Sequence, residues 1–343
     1  MTEIITTSSP GKVILFGEHA VNRGQSAIST TVDLRLYCRI KSTSGNGYEF
    51  RSGTKVEQGS FSQVNAFRRK IDKWRELGKL NRIQNEAQDF FAPIRYALAQ
   101  IQDIDKLPKL VIEFRSNIPM GAGMGSGAAA SSAMVYGLCH LLKHDCDLDH
   151  IAHFAWQADV IAHGGVSSSL DSSTCIYGGL LQYSNSNGIE PFSIPDPITI
   201  VIGNTLIPKS TAHVNTKVRK LLESYPEYVH IIKDIGFISD QAINALKRSD
   251  KKSLGHLMNL HQLLQEKLGT SWPKAEELLL VCHRTGAYGA KITGSGGGGV
   301  IIALADPEGF EKTAKAIHAI GGHAFITKIG VEGTRIEPNH EWE

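Results

Sequence analysis

Five glycines and one serine fill positions 294–299 (Gly294-Ser295-Gly296-Gly297-Gly298-Gly299), between Ala290-Lys291-Ile292-Thr293 and the apolar run Val300-Ile301-Ile302-Ala303-Leu304. A stretch with so little side chain, running straight into a buried strand, is a tight loop whose backbone touches whatever lies beside it. Successive N–H groups of such a loop can converge on an anion such as phosphate. A merely crowded turn has the same composition, so the run alone leaves both readings open.

A second glycine loop lies at Ile118-Pro119-Met120-Gly121-Ala122-Gly123-Met124-Gly125-Ser126-Gly127. The apolar Leu110-Val111-Ile112-Glu113-Phe114 before it reads as a strand, and the proline-free run Ala128 to Leu142 after it reads as a helix. Strand, glycine loop and helix start together present unpaired N–H groups and a positive dipole end to an anion. The loop lacks the closing Gly-Lys-Ser/Thr of a P-loop. No strand ending in an acidic residue follows at the distance a dinucleotide fingerprint requires.

The third informative segment is Ser9-Pro10-Gly11-Lys12-Val13-Ile14-Leu15-Phe16-Gly17-Glu18-His19-Ala20-Val21. Charged groups at both ends of a short apolar strand point to a cleft, or to an edge strand with solvated ends.

In this order and at these distances, the three segments resemble the three motifs of the GHMP small-molecule kinases. The first is most similar to the mevalonate kinases, since galactokinases carry arginine where Lys12 stands. Homoserine kinases and diphosphomevalonate decarboxylases open differently. Ile202-Gly203-Asn204-Thr205, Glu223-Ser224-Tyr225-Pro226 and Leu257-Met258-Asn259 extend the resemblance over nearly the whole chain. The resemblance implies an α+β, two-domain GHMP kinase fold with an active-site cleft between the domains. It also implies an ATP-dependent enzyme that phosphorylates the 5-hydroxyl of mevalonate with Mg²⁺. Another GHMP kinase acting on phosphomevalonate or a sugar is the alternative, as is a catalytically silent member that binds nucleotide or metabolite. Lys209 and Lys217 are the only cations that suggest a phosphorylated acceptor, and exposed surface positions explain them as well.

The same resemblance assigns roles. Gly121, Ala122, Gly123, Met124, Gly125, Ser126 and Gly127 form the nucleotide-binding loop, acting mainly through backbone N–H groups. Asp171, in His163-Gly164-Gly165-Val166-Ser167-Ser168-Ser169-Leu170-Asp171, is the proton acceptor, and a carboxylate suits that task as the new P–O bond forms. An N-cap of a short helix is the other reading of Asp171. Lys12 stands beside it and offsets charge on the acceptor oxygen. His19, Glu18, Ser295 and Gly296 contact the acceptor, with the 294–299 loop joining the domains across the cleft.

Three departures from the family pattern stand out, two of them at the metal. Family members read Gly-Ser-Ser-Ala where this chain has Gly125-Ser126-Gly127-Ala128, so the second serine hydroxyl, a Mg²⁺ ligand, is missing. The family's other ligand, a glutamate, is matched by Asp159, one methylene shorter. Three serines also replace the common Pro-Ser-Gly ahead of Asp171, in a loop one residue longer. Because Mg²⁺ keeps several waters and phosphate oxygens, the expectation is an active kinase whose metal is more hydrated.

Composition narrows the remaining classes. The 343 residues suffice for two domains, and a net charge of +2 with no basic block gives no reason to expect nucleic acid or an anionic membrane as partner. No apolar run approaches membrane-spanning length and no signal peptide is recognisable. The five cysteines form no metal pattern, so reduced thiols in a cytoplasmic protein are expected. A homodimer is the assembly the resemblance suggests. The domain boundary is placed at the composition shift Ser184-Asn185-Ser186-Asn187-Gly188, giving domains 1–187 and 188–343. Strands are expected near 3–7, 12–17, 34–42 and 109–115, and helices over 126–143 and 147–163. Three or four amphipathic helices are expected between 209 and 285. The charged segment 53–102 reads either as a wall beside the nucleotide base or as a solvated helix pair.

Overall fold

The computed structural model describes residues 3–338 apart from 102, 145, 209 and 210, so Lys209 lies outside the described residues. In chain order the strands are β1 (Ile4–Phe16), β2 (Ala27–Thr43), β3 (Tyr48–Ser52), β4 (Lys55–Gly59), β5 (Lys109–Ser116), β6 (Leu180–Ser184), β7 (Gly188–Phe192), β8 (Thr199–Asn204), β9 (Gly289–Ile292), β10 (Val300–Leu304), β11 (His323–Lys328) and β12 (Arg335–Ile336). The first sheet runs β12-β1-β2-β5-β3-β4, with β6 on the near half of β2 and β7 beyond it. Its one parallel pair is β3 with β5. The second sheet, β11-β8-β10-β9, is antiparallel throughout.

Two expected strands, 3–7 and 12–17, are one. Pro10 cannot donate to a ladder, and the chain passes it with a register shift at Pro10/Gly11 instead of ending the strand. β2 begins at Ala27, earlier than its apolar pattern announces. Its polar start is buried but bonded: Thr31 Oγ1 donates to the Val331 carbonyl at 2.6 Å, and Ser29 pairs with Thr174 at 2.6 Å. A buried hydroxyl with a partner costs little, so the strand tolerates it.

The helices Ser126–Leu141 and Leu170–Tyr177 lie on β1 and β2, with Leu148–Ala162 packed against both. Asp147 caps the last by accepting the His150 N–H at 2.8 Å. In the second half, four helices (Thr211–Ser224, Val229–Lys247, Lys251–Lys267 and Pro273–Arg284) precede β9. Segment 53–102 contains the strand β4 and three helices. Phe67, Ile71, Ile83 and Tyr96 from these helices pack with Ile161 of helix Leu148–Ala162, so the segment braces that helix through an apolar face.

The expected boundary at 187/188 needs correction. Residues 185–187 are the turn of the β6–β7 hairpin, whose register pairs Ser184 with Gly188. β7 therefore still belongs to the first sheet, and the chain crosses to the second between Phe192 and Thr199. The two halves also share apolar contacts. Val13, Phe16 and Ile28 belong to the same core as Ile200, Ile202, Val300 and Ile302. At about 1.5–3 kcal/mol for each large apolar side chain buried, this shared core holds the halves as one body.

Candidate active site

β1 carries the site. The Lys12 N–H donates to the Met124 carbonyl at 2.9 Å, tying the strand to the 121–127 loop. Gly125 ends that loop as the N-cap of helix Ser126–Leu141, with φ 74° and no side-chain cap. The first intrahelical bond runs from the Ala129 N–H to the Gly125 carbonyl, 2.8 Å. The N–H groups of Ser126, Gly127 and Ala128 therefore lie outside the helical ladder, at the positive end of the dipole. Gly121 and Gly127 are exposed, whereas the Ala122 and Met124 side chains are buried in the core. These two residues can serve a nucleotide only through their backbone.

Gly125 has a steric duty as well. A Cβ there would sit 2.8 Å from Lys12 Cγ, in a backbone region that side chains disfavour. The glycine lets the lysine stem pass under the loop and reach Asp171, where Lys12 Nζ and Asp171 Oδ1 are 2.6 Å apart. Lys12 is almost fully buried, and the Asp171 side chain keeps about a quarter of its exposure (24%). Asp171 is not an N-cap. Ser169 occupies that position in helix Leu170–Tyr177, and Asp171 stands in the first turn, where a carboxylate is favoured by the dipole.

Asp159, in helix Leu148–Ala162, lies beside this pair and is nearly sealed from solvent. Burial, and then the Asp171 charge, push its pKa up to about 8, while Lys12 and hydrogen bonds from Ser172 pull the other way. Its Oδ2 has no hydrogen-bond partner among the described residues. A buried carboxylate oxygen without a donor fits a hard cation.

The far end of β1 meets the second sheet. Thr293 Oγ1 donates to the Ile14 carbonyl at 2.8 Å and accepts the Ile14 N–H at 2.9 Å. Beyond this staple, His19 has a left-handed backbone, φ 63°, a conformation that costs a non-glycine residue about 1 kcal/mol. Its carbonyl accepts from Arg23 at 2.7 Å, and its Nε2 lies 3.0 Å from the Ser295 carbonyl. A carbonyl can only accept, so that bond places the ring proton on Nε2. Ser295 Oγ in turn donates to Thr211 Oγ1 at 3.3 Å.

Glu18 and Gly296 differ from expectation. The Glu18 carboxylate is buried against Lys291 and His261, with almost no exposed surface to offer an acceptor. Gly296 is buried, and a Cβ on it would lie 2.2 Å from the Thr270 carbonyl oxygen. For this residue the crowded turn is the correct reading. Sequence reasoning assigned no role to Lys291, His261 or Thr293. The one available signal was a lysine inside an otherwise apolar strand. Lys217 donates to the Gly269 carbonyl at 2.7 Å, a bond that ties helix Thr211–Ser224 to its neighbour.

Residues 92–179 match the GHMP kinases N terminal domain, and residues 242–322 match the GHMP kinases C terminal family. The mevalonate kinase of Pyrococcus horikoshii is 33% identical over 98% of this chain and 99% of that one. The mevalonate kinase of Schizosaccharomyces pombe is 29% identical over 92% of this chain and 86% of its own. Among solved structures, Methanococcus jannaschii mevalonate kinase superposes with a TM-score of 0.77 at 26% identity, covering 96% of this chain and 98% of that one. Lactococcus lactis galactokinase gives 0.78 at 15% identity, covering 97% and 95%, a likeness of fold.

Proposed function

The chain belongs to the GHMP kinases, among the mevalonate kinases, and on that premise we propose that it transfers the γ-phosphoryl group of ATP to the primary hydroxyl of mevalonate, giving 5-phosphomevalonate and ADP. The observation that carries this reading is the Lys12–Asp171 pair at 2.6 Å, set beside the uncapped start of helix Ser126–Leu141. Phosphoryl transfer asks a protein chiefly to position its reactants and neutralise charge, and these elements supply both. The N–H groups of residues 126–128 and the 121–127 backbone hold the triphosphate. Asp171 receives the hydroxyl proton as oxygen attacks phosphorus, and Lys12 keeps that carboxylate ionised and steadies the charge developing on the acceptor oxygen. His19 and Ser295 border the acceptor where the second sheet meets β1.

Asp159 would hold Mg²⁺, a reading supported by its unpartnered Oδ2. The ion would neutralise the phosphate oxygens. Gly127 adds no ligand, but the site has room for one: a Cβ on this helical residue meets nothing within 4 Å. Gly127→Ser should therefore fold normally, with a gain of about 0.5 kcal/mol in helix propensity. The Mg²⁺ concentration for half-maximal turnover should fall about tenfold, the low end for changes around a metal. An unaltered Mg²⁺ dependence would remove Gly127 from the metal account.

Among the described residues no helix is long and apolar enough to cross a membrane. The five cysteines are free, in keeping with a reducing compartment, and we place the protein in the cytoplasm. The second reading, a silent nucleotide-binding member, is favoured only by Gly127 and Asp159. ADP release with Mg²⁺-ATP across mevalonate, 5-phosphomevalonate, galactose and homoserine separates the alternatives. Turnover is expected with mevalonate alone. Turnover with another acceptor only would overturn the substrate, and nucleotide binding without turnover on any acceptor would favour the silent reading.

A further inference from the structure

Three ionisable side chains from three elements meet behind His19 with almost no solvent. Glu18 follows β1, Lys291 is in β9, and His261 is in helix Lys251–Lys267; their side chains are 1%, 0% and 0% exposed. One Glu18 oxygen takes the Lys291 ammonium, which also donates to the Ile292 carbonyl at 2.7 Å. The other oxygen lies 3.2 Å from His261 Nε2, the same nitrogen that accepts the Gly17 N–H at 3.1 Å. Phe16 closes the cluster, its ring edge-on to His261 with centroids 5.8 Å apart.

Withdrawing these ions from water is costly, and a well-packed apolar substitute is often no less stable. Stability alone does not account for the arrangement. Its directional bonds do something that apolar packing cannot: they fix Glu18 against Lys291 and Gly17 against His261. The next residue after Glu18 is His19, held in its left-handed conformation, and the strand of Lys291 leads on to Ser295, whose carbonyl His19 meets.

We propose that Glu18 is a positioning residue for the phosphoryl acceptor: by bonding Lys291 it sets His19 and Ser295 in register across the junction of the two sheets. This rests on the reading of His19 and Ser295 as the acceptor's neighbours. Glu18 touches no substrate itself. Its loss should displace the acceptor wall while leaving the nucleotide loop, which is tied to β1 separately through Lys12, in place.

The test compares four variants by thermal melting and by separate KM values for mevalonate and ATP. Glu18→Ala should raise the mevalonate KM at least about tenfold, since misplacements of an ångström have such effects, with the ATP KM within about twofold. Glu18→Gln, which keeps an acceptor for Lys291, should recover most of that loss. The double variant Glu18→Leu/Lys291→Met removes both charges, so its Tm should return towards the parent while the mevalonate KM stays high. His19→Ala tests the underlying reading and should also raise the mevalonate KM. If the mevalonate KM recovers together with Tm in the double variant, or never moves in Glu18→Ala, the positioning role is overturned. If His19→Ala alone leaves that KM unchanged, the acceptor-wall reading fails instead.

Discussion

Asp171→Asn is expected to lower kcat by about 10²–10⁴-fold, the range for loss of a general base, while the ATP KM changes little. The substitution keeps the shape of the side chain and an oxygen for Lys12, but an amide cannot take up the hydroxyl proton. The fold should survive it, for a reason internal to the cluster. In the parent, burial and the Asp171 charge together hold Asp159 up near 8, so at neutral pH the Lys12 ammonium is balanced chiefly by Asp171. Without that charge one of the two causes that hold the Asp159 pKa up is gone, so Asp159 moves towards the ionised form, in which it can balance Lys12. Thermal melting should show a small shift beside a large kinetic loss. A variant that kept more than about a tenth of the parent kcat would exclude Asp171 as the proton acceptor.

How much of this was legible in the chain varies from residue to residue. The 121–127 loop and its helix were readable because alternating glycines before an alanine-rich run leave few other structures. The pairing of Lys12 with Asp171 was not readable from spacing, since β1 and helix Leu170–Tyr177 come together only through tertiary packing; there the family resemblance carried the assignment. The boundary at 187/188 went wrong for a chemical reason. Ser-Asn-Ser-Asn-Gly is as good a hairpin turn as it is a linker, and only the strand pairing on both sides distinguishes them. Composition left the 294–299 loop open between a cradle and a crowded turn, and what decides it for Gly296, the Thr270 carbonyl, is a contact with no local signature. Glu18 was misplaced because its motif predicts proximity to substrate, while the direction of its side chain depends on Lys291, far along the chain.

Lys12→Met tests the same cluster from the opposite side, and its effects should differ in kind from those of Asp171→Asn. Methionine fills the stem's path beneath Gly125 without the ammonium, so the steric fit that the glycine provides is kept. Asp159 and Asp171 are then two neighbouring carboxylates with no cation between them. Lys12 was one of the groups holding Asp159 down, so its removal sends that pKa higher still, and Asp171 loses the cation 2.6 Å away that favours its charged form. Breaking a fully buried ion pair costs about 3–5 kcal/mol. The partial exposure of Asp171, and the ease with which a carboxylate takes up a proton, place this case at or below the lower end. The kinetic loss should be about 10²–10³-fold, as for removal of a preorganised donor at a developing negative charge. Its signature is in the pH profile. Because Asp171 must be ionised to accept a proton, the acid limb of kcat/KM should move to higher pH in Lys12→Met, and part of the lost rate should return in alkaline buffer. No such recovery is available to Asp171→Asn, which has no carboxylate to ionise. The double variant should be about as slow as Asp171→Asn alone, since the two groups act as a unit. An acid limb that stayed in place, with losses that simply multiplied in the double variant, would mean that Lys12 acts on the phosphates and not through Asp171.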